Sequence, residues 1–482
     1  MKQSEAVPSP LNNSEPATAY AGPSLRRALG VWSAVSIVIG TVIGSGVFLV
    51  PTRMIQYVGS VRNLFIVWIV AGLLSLFGAL TYAELAAALP EAGGEYVYLS
   101  AAYGPFWGYL YGWTQFWVAK SGSIATLAAG FYTYLTIFYP VLANPVLVTP
   151  WHIGPGGSLL EIHYGQLVAI AMILILAGVN YIGVRAGGKV QVSVTAIKMV
   201  LIGAVICVGM FSGRGDFSHF SNSIPALGGV AGFFAAMVSA LWAYDGWNNV
   251  SMVSSEIVNP QRNLPRSLIL GTIAVIATYL LINISYFYIL GPAQVATSPR
   301  LAADVMASLY GSPAAKAVTV AVLISIFAAL NGSILSGSRV PYAMARDGLF
   351  FRKAAVVHPK YRTPGNSIIL LCVWSCVVVL SGWFDDLYNF VIFGSWILYL
   401  LTTVSVFVLR KKRPDLVRPY RVIGYPVVPV LFIAVAAVLL VSTLQTRPRE
   451  SLMGLGLMAL GVPFYFYWKN KTLRLPVEKT QV

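Results

Sequence analysis

Twelve apolar runs, each long enough to cross a bilayer, leave this chain few ways to fold. They lie at about 32–57, 64–89, 105–138, 165–183, 190–211 and 229–256, then at about 267–290, 315–343, 367–382, 385–409, 426–444 and 451–468. In hydrocarbon no water pairs with the backbone, so an apolar run of this length must satisfy its own N–H and C=O groups as a helix. The sequence therefore predicts an all-α integral membrane protein with twelve transmembrane helices. A chain that is 57% hydrophobic and 10% charged is not a soluble globular protein.

An even number of crossings puts both termini on one side, and the basic residues choose the side. With the N-terminus in the cytoplasm, the inner segments hold 22 Lys or Arg and the outer loops hold 7. The remaining three, Lys120, Lys198 and Arg339, sit within runs. This threefold bias predicts cytoplasmic termini and a cell-membrane location. The net charge of +16 is then a rim facing anionic lipid, and no nucleic-acid partner is expected. Residues 1–30 read as a polar cytoplasmic tail and 470–482 as a second one. The stretch 139–164, the longest outer connection, is rich in Pro and Gly. Pro90–Leu99 reads as a short re-entrant or interfacial piece.

Cys207, Cys372 and Cys376 lie in apolar runs, and His152, His163, His219 and His358 lie between them. Neither pattern fits a disulfide framework, a haem or an intramembrane metal site, so no metal or cofactor is expected.

Two runs are interrupted. The first carries Gly40, Gly44, Ser45 and Gly46 near its centre, and the sixth carries Ala240-Leu-Trp-Ala-Tyr-Asp-Gly-Trp-Asn-Asn249. Glycine weakens a helix, and Asp-Gly-Trp-Asn-Asn favours a turn. Unwound backbone at membrane depth survives only where protein buries it or it lines a cavity. Matching breaks five runs apart point to inverted repeats with a site at their interface. The repeats would be residues 31–215 and 228–410, with two further helices over 411–469. A half-helix starting at Gly46 offers N–H groups to a carboxylate. Carbonyls left unpaired near Val42 and Ala243 would suit an ammonium, and the two together suit a zwitterionic α-amino acid. Gly40 and Gly44 also form a GxxxG pair, which packing alone would explain.

The motifs resemble the amino acid–polyamine–organocation transporters, nearest the L-type branch, with the LeuT-like five-plus-five repeat. The resemblance spans the first ten runs. It is carried by Gly40-Thr-Val-Ile-Gly-Ser-Gly-Val-Phe48, Pro90-Glu-Ala-Gly-Gly-Glu-Tyr96 and Ala243-Tyr-Asp-Gly-Trp-Asn248. Asn259-Pro-Gln-Arg-Asn-Leu-Pro265, Asn331-Gly-Ser333 and Ser338-Arg with Ala345-Arg-Asp-Gly348 complete it. It implies substrate binding at Val42, Ile43, Gly44, Ser45 and Gly46, and at Trp242, Ala243, Tyr244, Asp245 and Gly246. Val42, Ser45 and Gly46 would take the carboxylate, and the carbonyls of Trp242, Ala243 and Asp245 the amino group. Trp242 would close over the substrate from outside. Light chains of heteromeric members carry a cysteine in the second outer loop; 139–164 has none, so no disulfide-linked heavy chain is expected.

The ionisable residues carry paired readings. Lys198, roughly 12 Å deep by helix rise, either snorkels to the inner surface or fills the slot that Na⁺ occupies in sodium-coupled relatives. Its burial would also allow proton coupling. Asp245, the one buried acid expected in a run, either caps the second half of the sixth helix or faces a cationic side chain. Lys120 is assigned a functional or gating role without a named partner. Asn331 is expected to bond between helices. Glu256 and Arg339 form either an inner-gate ion pair or two separate solvated charges.

These features predict a sodium-independent amino acid exchanger working by alternating access. A proton-coupled amino acid or amine symporter is the alternative. A membrane enzyme lacks a nucleophile–base pair at depth, and no repeated pore chemistry suggests a channel.

Overall fold

All twelve apolar runs are helical, and the helix ends follow the local chemistry. The structure, a computed structural model, describes residues 23–151, 159–382, 384–446 and 448–473. The tail up to Gly22, His152 and the C-terminal segment from residue 474 lie outside the described residues. The first run forms α1 (Val31–Val42) and α2 (Gly46–Val58), bent by 42°. Next come α3 (Val61–Ala88) and a short α4 (Glu95–Tyr103). The third run is α5 (Pro105–Thr114), a π-turn over Gln115–Ala119 and α6 (Lys120–Leu135). The fourth and fifth runs are α7 (Tyr164–Ile182) and α8 (Val184–Phe211).

The sixth run gives α9 (Gly229–Tyr244) and a four-residue α10 (Asn249–Met252). Then follow α11 (Pro260–Ile289), α12 (Pro292–Thr297) and α13 (Leu301–Tyr310). The eighth run is α14 (Ser312–Gly337), continued by α15 (Arg339–Arg346). The rest are α16 (Gly365–Ser381), α17 (Phe384–Lys412), α18 (Val427–Thr446), α19 (Pro448–Ala459) and α20 (Gly461–Leu473).

Among the described residues, eight helices are long and apolar enough to cross a membrane, or nine with the bent α1–α2 pair. The shortfall from twelve has a physical cause. The π-turn divides the third run, and α9 and α16 stop at 16 and 17 residues. The expected second half of the sixth helix is also much shorter than its apolar run. After α10 the chain makes a 3-10 turn at Ser254–Glu256. The all-α expectation holds, with one short hairpin outside the helices. Pro145–Val148 (β1) and Glu161–His163 (β2) pair antiparallel in the connection between α6 and α7.

Helix boundaries show why. Gly59, in the left-handed region at φ 71°, ends α2, and Ser60 then caps α3 by accepting from Asn63 N at 3.3 Å. Such a cap is worth about 1 kcal/mol. Pro105 and Pro260 open α5 and α11, where a missing N–H costs nothing. The core sits around the α14–α15 span, whose apolar window is 83% buried, against 22% for the peripheral α18. α1 packs between α8, α11 and α14, and α2 lies on α9. The two interrupted helices therefore meet inside the bundle.

Candidate functional site

Both breaks fall where residues depart from helical backbone. Ile43 (φ −77°, ψ 84°) ends α1, and α2 restarts at Gly46. Asp245 (φ −63°, ψ 145°) ends α9, and Gly246 takes φ 107°, a conformation that side chains rarely adopt. The breaks touch directly. Thr41 Oγ1 donates to Gly246 O at 3.0 Å. A Cβ on Gly46 would lie 3.0 Å from Ala243 Cβ and 3.1 Å from its Cα. Gly40 serves packing instead, since a Cβ there would overlap the Gln191 side chain at 1.9 Å.

The carbonyls at the breaks are not left unpaired. The Tyr279 hydroxyl of α11 is shared between Ala243 O at 2.7 Å and Val42 O at 3.1 Å. This corrects the expectation of free acceptors at Val42 and Ala243: a buried carbonyl takes a donor from the neighbouring helix. From the other side, Lys198 Nζ donates to Ile43 O at 2.5 Å, Gly40 O at 3.0 Å and Ser325 O at 3.4 Å. Ser325 Oγ adds bonds to Ile43 O and Gly44 O at 3.0 and 3.2 Å. Lys198 is 0% exposed, so its head points into the bundle and does not snorkel. The Lys198 amine thus sits among neutral carbonyls of α1, the first break and α14.

Beside the second break lies a cavity of about 570 Å³, counting the part open to solvent. Its walls include Gln115, Lys120, Trp242, Asp245, Asn249 and Tyr399. The lining comes from the third, sixth and tenth runs, and Val42–Gly46 are not part of it. Asp245 is exposed to this space, and its Oδ1 accepts from the Tyr399 hydroxyl at 2.9 Å. Asp245 does not cap the second half of the sixth helix, because α10 starts only at Asn249, after Asn248. Lys120 has a partner that the sequence left unnamed: Nζ donates to Asn249 Oδ1 at 2.6 Å. Lys120 and Asp245 share the cavity without a contact ion pair.

The π-turn aims the third run at this cavity. A π-turn widens the helix by one residue per turn and frees carbonyls. Here Ser121 Oγ takes up Phe116 O at 2.8 Å and Trp374 Nε1 takes up Trp117 O at 2.8 Å. No Gly or Pro marks Gln115–Ala119, so the sequence carried no signal for it. The cavity joins a carboxylate, an ammonium, hydroxyls and amides to aromatic walls. It suits a small molecule bearing both charges.

Residues 29–459 match the amino acid permease family. The chain belongs to that family. Similar proteins include the serine/threonine exchanger SteT of Bacillus subtilis, 34% identical over 93% of this chain and 98% of SteT. The b(0,+)-type amino acid transporter 1 of Mus musculus is 32% identical over 92% of this chain and 88% of its own length. The human large neutral amino acids transporter small subunit 2 is 31% identical over 93% and 82%. This permease is accordingly a membrane transporter of amino acids and not an enzyme, and the family expected from its motifs is confirmed.

The other singled-out residues lie away from the cavity. Asn331 of α14 accepts from Asn180 Nδ2 at 2.9 Å and donates to Gln191 Oε1 at 2.7 Å, linking α14 to α7 and α8. Glu256 and Arg339 form a fully buried ion pair at 2.8 Å, so they are not separate solvated charges. The main chain of Glu256 also holds the entry to α1, its carbonyl accepting from Ala28 N and Leu29 N at 2.8 and 3.0 Å.

Asp245 is not the one buried acid of this permease. Glu84, Glu95 and Glu256 are 2%, 0% and 0% exposed, and Asp245 faces the cavity. Glu84 is clamped by Arg410 at 2.6 Å and Arg418 at 3.5 Å, and accepts from Val422 N at 2.8 Å. Basic residues after an apolar run read as a solvated rim in sequence, which hid this role. Within Pro90–Leu99, residues 92–99 are buried and packed against α10, where Gly93 N donates to Met252 O at 2.9 Å.

Proposed function

We propose that this permease is a sodium-independent exchanger of L-amino acids that works by alternating access in the cell membrane. Neutral amino acids are its first substrates, and cationic ones enter if Asp245 faces the side chain. Its architecture is the LeuT-like five-plus-five repeat of twelve spans, over 31–215 and 228–410, with 411–469 appended. Both termini are cytoplasmic. The backbone of Val42–Gly46 and Trp242–Gly246 recognises the amino acid's shared ends, and rearrangement of the Tyr279 bonds exposes the carbonyls during turnover. Glu256 and Arg339 form part of the inner gate. The chain works without a disulfide-linked heavy chain, because 139–164 has no cysteine.

One observation carries the reading. Lys198 Nζ donates to Ile43 O, Gly40 O and Ser325 O, so a side chain of this protein ties the first break to α14 where a coupling ion would otherwise be needed. That SteT is an exchanger supports the same conclusion. The test is uptake of labelled L-serine and L-leucine into proteoliposomes, with and without internal amino acid. Exchange predicts uptake that needs internal substrate and ignores sodium. Uptake driven by a sodium gradient into empty vesicles overturns it.

A second reading, a proton-coupled symporter, is favoured by the same residue. The three partners of Lys198 are neutral carbonyl groups, so loss of its proton would strand no counter-charge. Net uptake into empty vesicles driven by a pH gradient, and abolished in Lys198→Ala, would select this reading over exchange.

A further inference from the structure

Glu95 stands outside the cavity and has no part in the scheme above. It opens α4, is 0% exposed, and forms no ion pair among the described residues. Its partners are neutral. The Tyr111 hydroxyl donates to Oε2 at 2.9 Å, and Asn248 Nδ2 donates to Oε1. Burying a carboxylate without a cation is expensive, and a neutral side chain would fill the space at lower cost.

The contact fixes an orientation. Glu95 Oε1 accepts from Asn248 Nδ2, so Asn248 turns its NH₂ group to Glu95, and Asn248 Oδ1 is left without a hydrogen-bond partner. The next residue, Asn249, faces the cavity and holds Lys120 Nζ at 2.6 Å. Backbone contacts press the same segment from below. Gly93 N donates to Met252 O, and Gly94, at φ 57°, approaches so closely that a Cβ there would sit 3.1 Å from Met252 N. Met252 also lines the cavity.

We propose that Glu95 is a positioning residue for substrate recognition. By fixing Asn248 from outside the cavity, it sets the face that Asn249 presents inside and, through Asn249, the place of the Lys120 ammonium. Pro90–Tyr103 is then a cradle for the second half of the sixth helix. The inference rests on the cavity being the substrate site, and the test separates the two.

The full chain is reconstituted and exchange of labelled L-serine and, in parallel, L-leucine is measured over a concentration series. Glu95→Ala is expected to raise the half-saturating concentration about tenfold, with a smaller change in maximum rate. Asn248→Ala should shift it equally, and the double variant no further. Glu95→Gln should return to within about threefold of wild type, because its oxygen accepts from Tyr111 and its amide can donate to Asn248 Oδ1. If Glu95→Ala does not fold, Tyr111→Phe and Asn248→Ala carry the same comparison with Glu95→Gln.

Unchanged half-saturation in the alanine variants overturns the proposal. So do multiplying shifts, or a glutamine variant that folds without restoring affinity. Asn249→Ala checks the underlying reading. If it leaves half-saturation unchanged, the cavity is not the substrate site. If it shifts and the Glu95 and Asn248 variants do not, only the role of Glu95 falls.

Discussion

Arg339 grips Glu256 through three hydrogen bonds, Nε to Oε2 at 3.0 Å, Nη2 to Oε1 at 3.0 Å and Nη2 to Oε2 at 2.8 Å, with both side chains fully buried. Removing either partner strands the other charge. Glu256→Ala and Arg339→Ala are each expected to lose about 3–5 kcal/mol of stability, while the paired change Glu256→Leu/Arg339→Met should lose much less. Thermal unfolding of the purified protein in detergent checks this. A double variant no more stable than either single one would mean that the pair is not an isolated unit.

Lys198 invites a different separation, of charge from shape. Lys198→Met keeps the length of the stem and removes the donor for Ile43 O, Gly40 O and Ser325 O. Charge-assisted bonds of this kind are about twice as strong as neutral ones. Exchange in Lys198→Met should fall at least about tenfold, with the protein still folded by size-exclusion profile. Wild-type exchange in that variant would remove the fixed cation from the mechanism.

What the sequence revealed follows from the range over which its signals act. Apolar run length and the Gly and Asp-Gly interruptions are local, so the helices and both breaks were visible in the chain itself. Beside the first break, Lys198 Nζ donates to Gly40 O and Ile43 O. Pairings across the fold were not legible. Glu95 meets Asn248 at a separation of 153 residues and Glu84 meets Arg410 at 326, and in sequence each resembles an ordinary loop or rim charge. The role of Tyr279 was hidden for the same reason, because a tyrosine in an apolar run gives no hint that its hydroxyl spans two breaks.

Glycine at the first break is constrained unevenly. A Cβ on Gly46 would press on Ala243 Cα, a backbone atom, at 3.1 Å, so that α9 must shift by a few tenths of an ångström. One on Gly44 would meet only the side chains of Leu127 and Ala329, at 3.6 and 3.8 Å. Gly46→Ala should therefore separate the two breaks and abolish exchange, while Gly44→Ala keeps substantial activity. Overpacking of this kind typically costs about 1–3 kcal/mol. Exchange assays on the two variants, normalised to folded protein, decide the matter; equal tolerance would show that the breaks can move apart without loss.

The role of Asp245 is read from which amino acids compete. Its carboxylate opens on the cavity, held from one side by Tyr399 at 2.9 Å, with Lys120 in the same wall. If it faces the substrate side chain, lysine and arginine should compete with labelled L-serine in the wild type, and Asp245→Gly should weaken them at least about tenfold while sparing neutral competitors. Tyr399→Phe should leave the carboxylate in place and retain that preference, since it removes a donor and not the charge. A competition panel of neutral, cationic and anionic amino acids on the three proteins gives the answer. Should lysine and arginine fail to compete with the wild type, Asp245 is no counter-charge. Its bond to Tyr399 then ties the end of α9 to α17, and the choice of cargo passes to Gln115, Lys120 and Trp242.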